Sequence, residues 1–329
     1  MKLIRIGFFA LCLAPFALFA EPGEFNQDQW NRMLHRIQDR AVSENIDSRV
    51  INEVIQNSAF IPDIVQRDRN QPEFRLTLAE YLRRTVTDTR VTQGRAARQR
   101  HAALLRRVDE RYGVPPHIIL AFWGLESNYG TFKSTHRLSD AFLTLIYDGR
   151  REKFFTDQLF AMMRIADKNE LEVSGMRGSW AGAMGHFQFI PTTLAQYGVD
   201  GDGDGKIDII NSLPDAMFSA GNFLNRLGWN KNERILRTVT VPGNFNPAWA
   251  DSRTRKTLDQ WAALGVRNPD GSAIPRGNRS AGIVFDVPPT PTNARITAYL
   301  TYDNFYRIKR WNNSNSYAVA IALLADRLR

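Results

Sequence analysis

Cysteine is almost missing from this chain of 329 residues; the single one, Cys12, lies in an apolar stretch near the start. Disulfide frameworks, thiol catalysis and cysteine-ligated zinc are therefore excluded for everything that follows it. The five histidines, at 35, 101, 117, 136 and 186, form no HExxH pair, and no GxSxG elbow, P-loop or GxGxxG run occurs. Zinc hydrolases, serine esterases and nucleotide enzymes thus lack their usual marks. Internal repeats and low-complexity segments are absent, and so are long apolar runs. The stretch "IGFFALCLAPFALF" is too short, and too broken by Pro15, for a comfortable membrane span. With basic "MKLIR" ahead of it and Ala20 before polar "EPGEFNQDQ", it reads as a cleaved secretory signal over 1–20. An uncleaved anchor is the alternative. Leu11 precedes Cys12 where lipoprotein processing wants a small residue, so no lipid anchor is expected.

What remains has ordinary globular composition, 43% hydrophobic and 23% charged, long enough for a sizeable core and more than one structural unit. Beyond the signal, 41 basic residues face 34 acidic ones, a net charge of +7. On an exported protein that charge suits an anionic polymer such as cell wall, or a membrane surface, better than nucleic acid. Charge alone fits a merely solubilising role equally well.

Helical periodicity runs through 24–112, with Trp30, Leu34, Ile37 and Val42, then Val50, Val54 and Ile55, and a break at Pro62. The arginine-dense text from Arg83 to Arg111 reads as a solvated helix face with a second role against an anionic partner. Pro115 and Pro116 suit the start of a new helix that ends near Gly130. Further helices fit Ser139–Tyr147, Glu152–Asp167 and Leu213–Leu227. Between Ile235 and about Ala298 the text turns strand-like in "ILRTVTVPGNF" and "ARITAYL", with turn-rich links. The apolar "YAVAIALLADRL" closes the chain as a helix that returns to the main core. The expected fold is mainly α, with a small β-containing insertion (α+β overall): an N-terminal helical domain over 21–112, a core over 113–230 and 303–329, and a β-containing domain over 231–302.

Three stretches hold the chemistry. In "FWGLESNYG", Ile118, Phe122 and Glu126 are spaced by four, with Trp123 at the stripe's edge. Burial against Phe122 and Trp123 raises a carboxyl's pKa towards neutrality, as an acid that protonates a departing glycosidic oxygen requires. Taken alone, the stretch fits better a structural glutamate that pairs with arginine or caps a helix. In "GSWAGAMGHFQFIPTTLAQYGV", residues 178–199, four glycines and three alanines leave the backbone open to a ligand, with Ser179, Trp180, Gln188 and Phe189 interleaved. Tight packing explains those small residues as well. In "DGDGDGKIDIIN", Asp200, Asp202 and Asp204 take the first ligand positions of a calcium loop. Lys206 offers its carbonyl and Asp208 the ninth position, but Asn211 replaces the twelfth-position glutamate and leaves Asp215 to complete the site. The role of such a cation would be structural.

In this order, with "RIKRWNNSNSYAVAIALLADRL" last, the stretches resemble the lytic murein transglycosylase B family in its soluble form, across nearly the whole exported chain. The resemblance implies a lysozyme-like helical core with a long groove for glycan strands, in a periplasmic enzyme. It implies cleavage of the β-1,4 bond between N-acetylmuramic acid and N-acetylglucosamine of peptidoglycan, without water, leaving a 1,6-anhydro end. Glu126 matches the family's single acid/base; Ser179, Gln188, Phe189, Asn312 and Tyr317 match groove positions; Asp200, Asp202 and Asp204 match the calcium loop. His186 and Phe187 depart from members that carry Tyr and Gly there. No cofactor is implied for catalysis. Partners would be the glycan strand and other wall-synthesis or wall-hydrolysis proteins, not nucleic acid. A muramidase giving reducing ends, a wall-binding protein without turnover and a calcium-dependent structural protein are the rival readings.

Overall fold

The computed structural model describes residues 25–70, 76–132, 135–250, 253–285, 287 and 295–329. The signal segment and Cys12 lie outside them. Six helices come first: α1 (Gln27–Ser43), α2 (Ser48–Ile55), α3 (Pro62–Arg69), α4 (Leu78–Thr85), α5 (Asp88–Arg100) and α6 (Ala102–Tyr112). Their starts are written in the sequence. Asn26, Asp47, Thr77 and Thr87 each accept a backbone N–H of the first turn, and Thr77 with Glu80 forms a reciprocal capping box. Pro62, expected as a break, occupies the first turn of α3.

The next helix, α7 (Pro116–Ser127), is buried on every side from Ile118 through Gly124. The sequence reading gave it one apolar stripe; the structure makes it the central rod of the core, as expected of a helix apolar all round. Around it lie α8 (Leu138–Asp148), α9 (Glu152–Lys168), α10 (Pro191–Tyr197) and α11 (Leu213–Arg226). A two-stranded ribbon, β1 (His136–Arg137) with β2 (Arg177–Gly178), sits beside the groove described below.

An antiparallel sheet follows, formed by β3 (Leu236–Pro242), β4 (Lys256–Thr257), β5 (Ser280–Val284) and β6 (Arg295–Thr301) in the order β3-β6-β5-β4. The two strand-like stretches are β3 and β6, paired from Leu236↔Thr301 to Pro242↔Arg295. The short β4, β5 and the helix α12 (Leu258–Ala263) were not legible, being too brief for a period to show. The sheet carries its own apolar cluster around Val239, Trp261, Ile283 and Leu300. The chain then re-enters the main core through α13 (Asp303–Trp311) and α14 (Asn315–Arg327). The N-terminal helices share that main core: Trp30, Val91 and Leu105 belong to one cluster with Phe122, Phe142 and Val319.

Several arginines of 83–111 are structural ties. Arg95 and Arg98 donate to the carbonyls of Arg327 and Leu328, and Arg107 donates to Gly201 O while lying over the Phe218 ring. The expectation of a simply solvated face is corrected to that extent.

Candidate active site

Glu126 stands on the last turn of α7. The helix stops one residue later because Asn128, Tyr129 and Gly130 all take left-handed backbone angles, at φ 48°, 59° and 78°. The Asn128 and Tyr129 amides cap the carbonyls of Gly124 and Trp123. Tyr129 then folds back to donate to Arg90 O at 2.9 Å, in space kept open by Gly94 and Gly124, where a Cβ would fall 2.3 and 2.7 Å from its hydroxyl. Ser127 is the pin between the two motifs. Its Oγ donates to His186 O at 2.7 Å and accepts from Gly130 N at 3.0 Å. Sequence reading singled out neither role.

The opposite wall comes from the far end of the chain. Tyr317 donates its hydroxyl to Glu126 Oε1 at 2.5 Å and Trp311 donates its indole N–H to the same oxygen at 3.0 Å. Trp311 escaped the sequence reading although it begins "WNNSNSY"; nothing local distinguishes a groove tryptophan from a core one. Its ring lies 4.9 Å from Phe223, 5.1 Å from Phe189 and 4.6 Å from Phe122, so the carboxyl backs onto an aromatic floor. Burial raises the Glu126 pKa from 4.5 to about 7 against the two hydrogen bonds, which favour the ionised form. The residue keeps partial solvent access, as the floor of a groove does. The Tyr317 phenol is pushed well above its usual range by burial and the adjacent carboxylate, which keeps it a donor.

The other groove candidates divide. Ser179 is half-buried; its Oγ accepts from Ala183 N at 3.0 Å, which leaves its own proton to donate. Gln188 adopts φ 50° and donates Nε2 to Gly185 O at 3.0 Å, which leaves Oε1 to accept. Phe189 is 2% exposed, its ring 5.1 Å from that of Trp311. Asn312 is exposed at the end of α13, beside Trp311. Trp123, read as part of the apolar setting of Glu126, packs instead with His101, Tyr129 and His186.

The acidic loop adopts a pre-formed cradle. Asp200 accepts from the Gly203 and Gly205 amides, and Asp202 from the Asp204 amide and the Ser212 hydroxyl. One oxygen from each of Asp200, Asp202 and Asp204 lies within 4.8 Å of the others, a hard-oxygen set that fits calcium. Asp208 is not in that group. Its oxygens accept from Ile210 N, Asn211 N and Asn211 Nδ2. The Lys206 ammonium pairs with Glu170 at 3.0 Å. Asp215 acts as a staple, accepting from Gly201 N at 2.8 Å and Asp208 N at 2.7 Å.

A core helix that ends in one carboxyl, held directly by Tyr317 and Trp311 from the last two helices, lies at the centre of a lysozyme-like lytic transglycosylase fold. The family model for the transglycosylase SLT domain matches residues 29–326, and the chain belongs to that family. It is 30% identical over 244 residues to membrane-bound lytic murein transglycosylase B of Escherichia coli (strain K12); the match takes in 73% of this chain and 64% of that protein's length. Among solved structures, SltB3 from Pseudomonas aeruginosa in complex with NAG-NAM-pentapeptide is similar at TM-score 0.84 and 37% identity, over 91% of this chain and 79% of the other. The Escherichia coli lytic transglycosylase Slt35 in complex with calcium is similar at TM-score 0.77 and 27% identity, over 90% and 92%.

Proposed function

We propose that this chain is a lytic transglycosylase of peptidoglycan, exported to the periplasm, that cuts the β-1,4 bond between N-acetylmuramic acid and N-acetylglucosamine with one carboxyl. The observation that carries the reading is Glu126 itself: a carboxyl that burial raises to about 7, held on one oxygen by Tyr317 and Trp311. With one acid, the sugar supplies the nucleophile. Glu126, protonated, hands its proton to the leaving oxygen while the substrate acetamido group stabilises the anomeric carbon. The resulting carboxylate then takes the proton of the sugar's own O6 hydroxyl, which closes a 1,6-anhydro ring. Attack within one molecule needs no bimolecular encounter, and the aromatic floor disfavours water.

Fragments released from purified peptidoglycan are expected to be one water lighter than muramidase products by mass spectrometry. Reducing ends would overturn the anhydro step and leave a muramidase. Substrate-class support comes from the complex of SltB3 with NAG-NAM-pentapeptide.

Because Glu126 must enter protonated, kcat/KM should fall as pH rises through about 7. Tyr317→Phe removes a bond that favours the ionised form, so the alkaline limb of the pH–rate profile should move to higher pH. A limb that stays, or moves down, would separate it from Glu126.

Calcium in the cradle would be structural, held by Asp200, Asp202 and Asp204 with the Lys206 carbonyl. Chelation is expected to lower the melting temperature by roughly 5–10 °C, which corresponds to about 2.7 kcal/mol for a cation at a hundred times its Kd. An unchanged melting curve with and without chelator would count against the site.

A further inference from the structure

His186 is a half-buried histidine tied to the end of α7 through Ser127, and the reaction above does not use it. Trp123 donates its indole N–H to His186 Nδ1 at 3.1 Å. An indole nitrogen can only donate, so Nδ1 carries no proton and the neutral ring holds it on Nε2. The ring is held on several other sides. It meets the Trp123 ring edge-on at 5.7 Å, Ser127 fixes its carbonyl at 2.7 Å, and a Cβ on Gly130 would fall 2.7 Å from its Cε1. Burial and nearby His101 lower its pKa, which opposes a second proton. No hydrogen bond among the described residues reaches Nε2, and that atom is not among the buried side-chain atoms left without a partner, so it keeps solvent access.

The same ring lines a cavity of about 300 Å³ with Ser127, Arg177 and Phe132. Phe132 is 61% exposed, so its ring is accessible at the rim of that cavity. Arg177 spends one guanidinium nitrogen on Thr135 O at 2.9 Å. The cavity therefore presents a flat apolar face and two hydrogen-bond donors, which fits a sugar unit lying over the ring with its oxygens on the donors.

We infer that His186 is a substrate-binding residue whose Nε2–H, held in one tautomer by Trp123, donates to an oxygen of the glycan strand next to the unit being cleaved. This rests on the glycan reading above. It assigns a donor whose loss should weaken binding without altering the acid/base step at Glu126.

The side-chain geometry of asparagine and glutamine gives the test. Asparagine can place its carbonyl where Nδ1 lies, so it keeps an acceptor for Trp123 and loses the donor. Glutamine reaches the Nε2 position and restores a donor. In the Glu126→Gln background, NAG-NAM-pentapeptide binding is measured by calorimetry. His186→Asn should weaken binding about tenfold, and His186→Gln should remain within a few-fold of the parent. Nitrogen NMR of the parent should show His186 protonated on Nε2 only. Equal binding by all three proteins would overturn the inference. So would equal weakening by both substitutions with lowered melting temperatures, since that is a packing effect. Tight binding by the parent combined with reducing-end products from the active enzyme would overturn the anhydro step and leave the His186 contact standing. No binding by the parent, with no fragments released by the active enzyme, would overturn both.

Discussion

Glu126→Gln is expected to remove turnover and to raise stability at neutral pH. A positioned general acid contributes roughly 10²–10⁴-fold, and in the mechanism proposed above the same group also serves as the base, so a loss on the order of 10⁴ in fragment release is expected. The fold should survive, because the glutamine carbonyl can accept from Tyr317 and Trp311 as Oε1 does. The stability sign follows from the pKa, which rises on folding from 4.5 to about 7. The folded state holds the proton more tightly, so its advantage is fully present below about 4.5 and is lost as pH climbs through about 7. Above that, wild type carries a poorly hydrated carboxylate that the variant lacks. At 1.36 kcal/mol per pH unit, and reduced for the groove's solvent access, the difference is on the order of 1–3 kcal/mol. Melting curves at pH 4.5 should coincide and at pH 8 should separate, the variant higher. Retained turnover would mean that the acid is another residue; equal curves at pH 8 would mean that the carboxyl is well hydrated.

Gly182→Ala should be strongly destabilising within the second motif. Gly182 has φ 86°, and a Cβ there would lie 2.0 Å from Cε1 and 2.3 Å from Cζ of Phe142, a fully buried ring on α8. The left-handed angle costs a non-glycine residue about 1–2 kcal/mol, and forcing the ring aside in a packed core a further 1–3 kcal/mol. A loss of about 3–5 kcal/mol in urea unfolding follows. Gly203 is the internal control. It has the same sign of φ, at 86°, but nothing within 4 Å of its Cβ, so Gly203→Ala should cost only the backbone part, about 1–2 kcal/mol. Equal losses at both positions would show that the contact with Phe142 relaxes freely.

How far the text of the chain could be read depended on the range of each interaction. The helices of 139–167 and 213–227 were legible from local periodicity and proline or glycine punctuation, and their observed ends differ by a residue or so. The carboxyl in its apolar setting was legible too, because Phe122 lies one turn before Glu126 on the same helix. The partners that finish the site were not. Trp311 and Tyr317 lie 185 and 191 residues away, and no spacing rule links them to Glu126. Ser127 illustrates a subtler limit: a serine at a helix end suggests a cap, while its actual partner is a carbonyl 59 residues on. The direction in which Trp123 faces was likewise invisible, since one helical position admits neighbours on either side.

That long closure has a bearing on safety. A chain in which α13 and α14 have not yet docked lacks the Tyr317 and Trp311 donors and the burial that raises Glu126, whose carboxyl should then be ionised at neutral pH. On the mechanism proposed above, such a chain would hold neither the proton nor the dry surface that scission requires. On that proposed mechanism, competence would arrive only with the last helices, and an incompletely folded copy would not cut glycan.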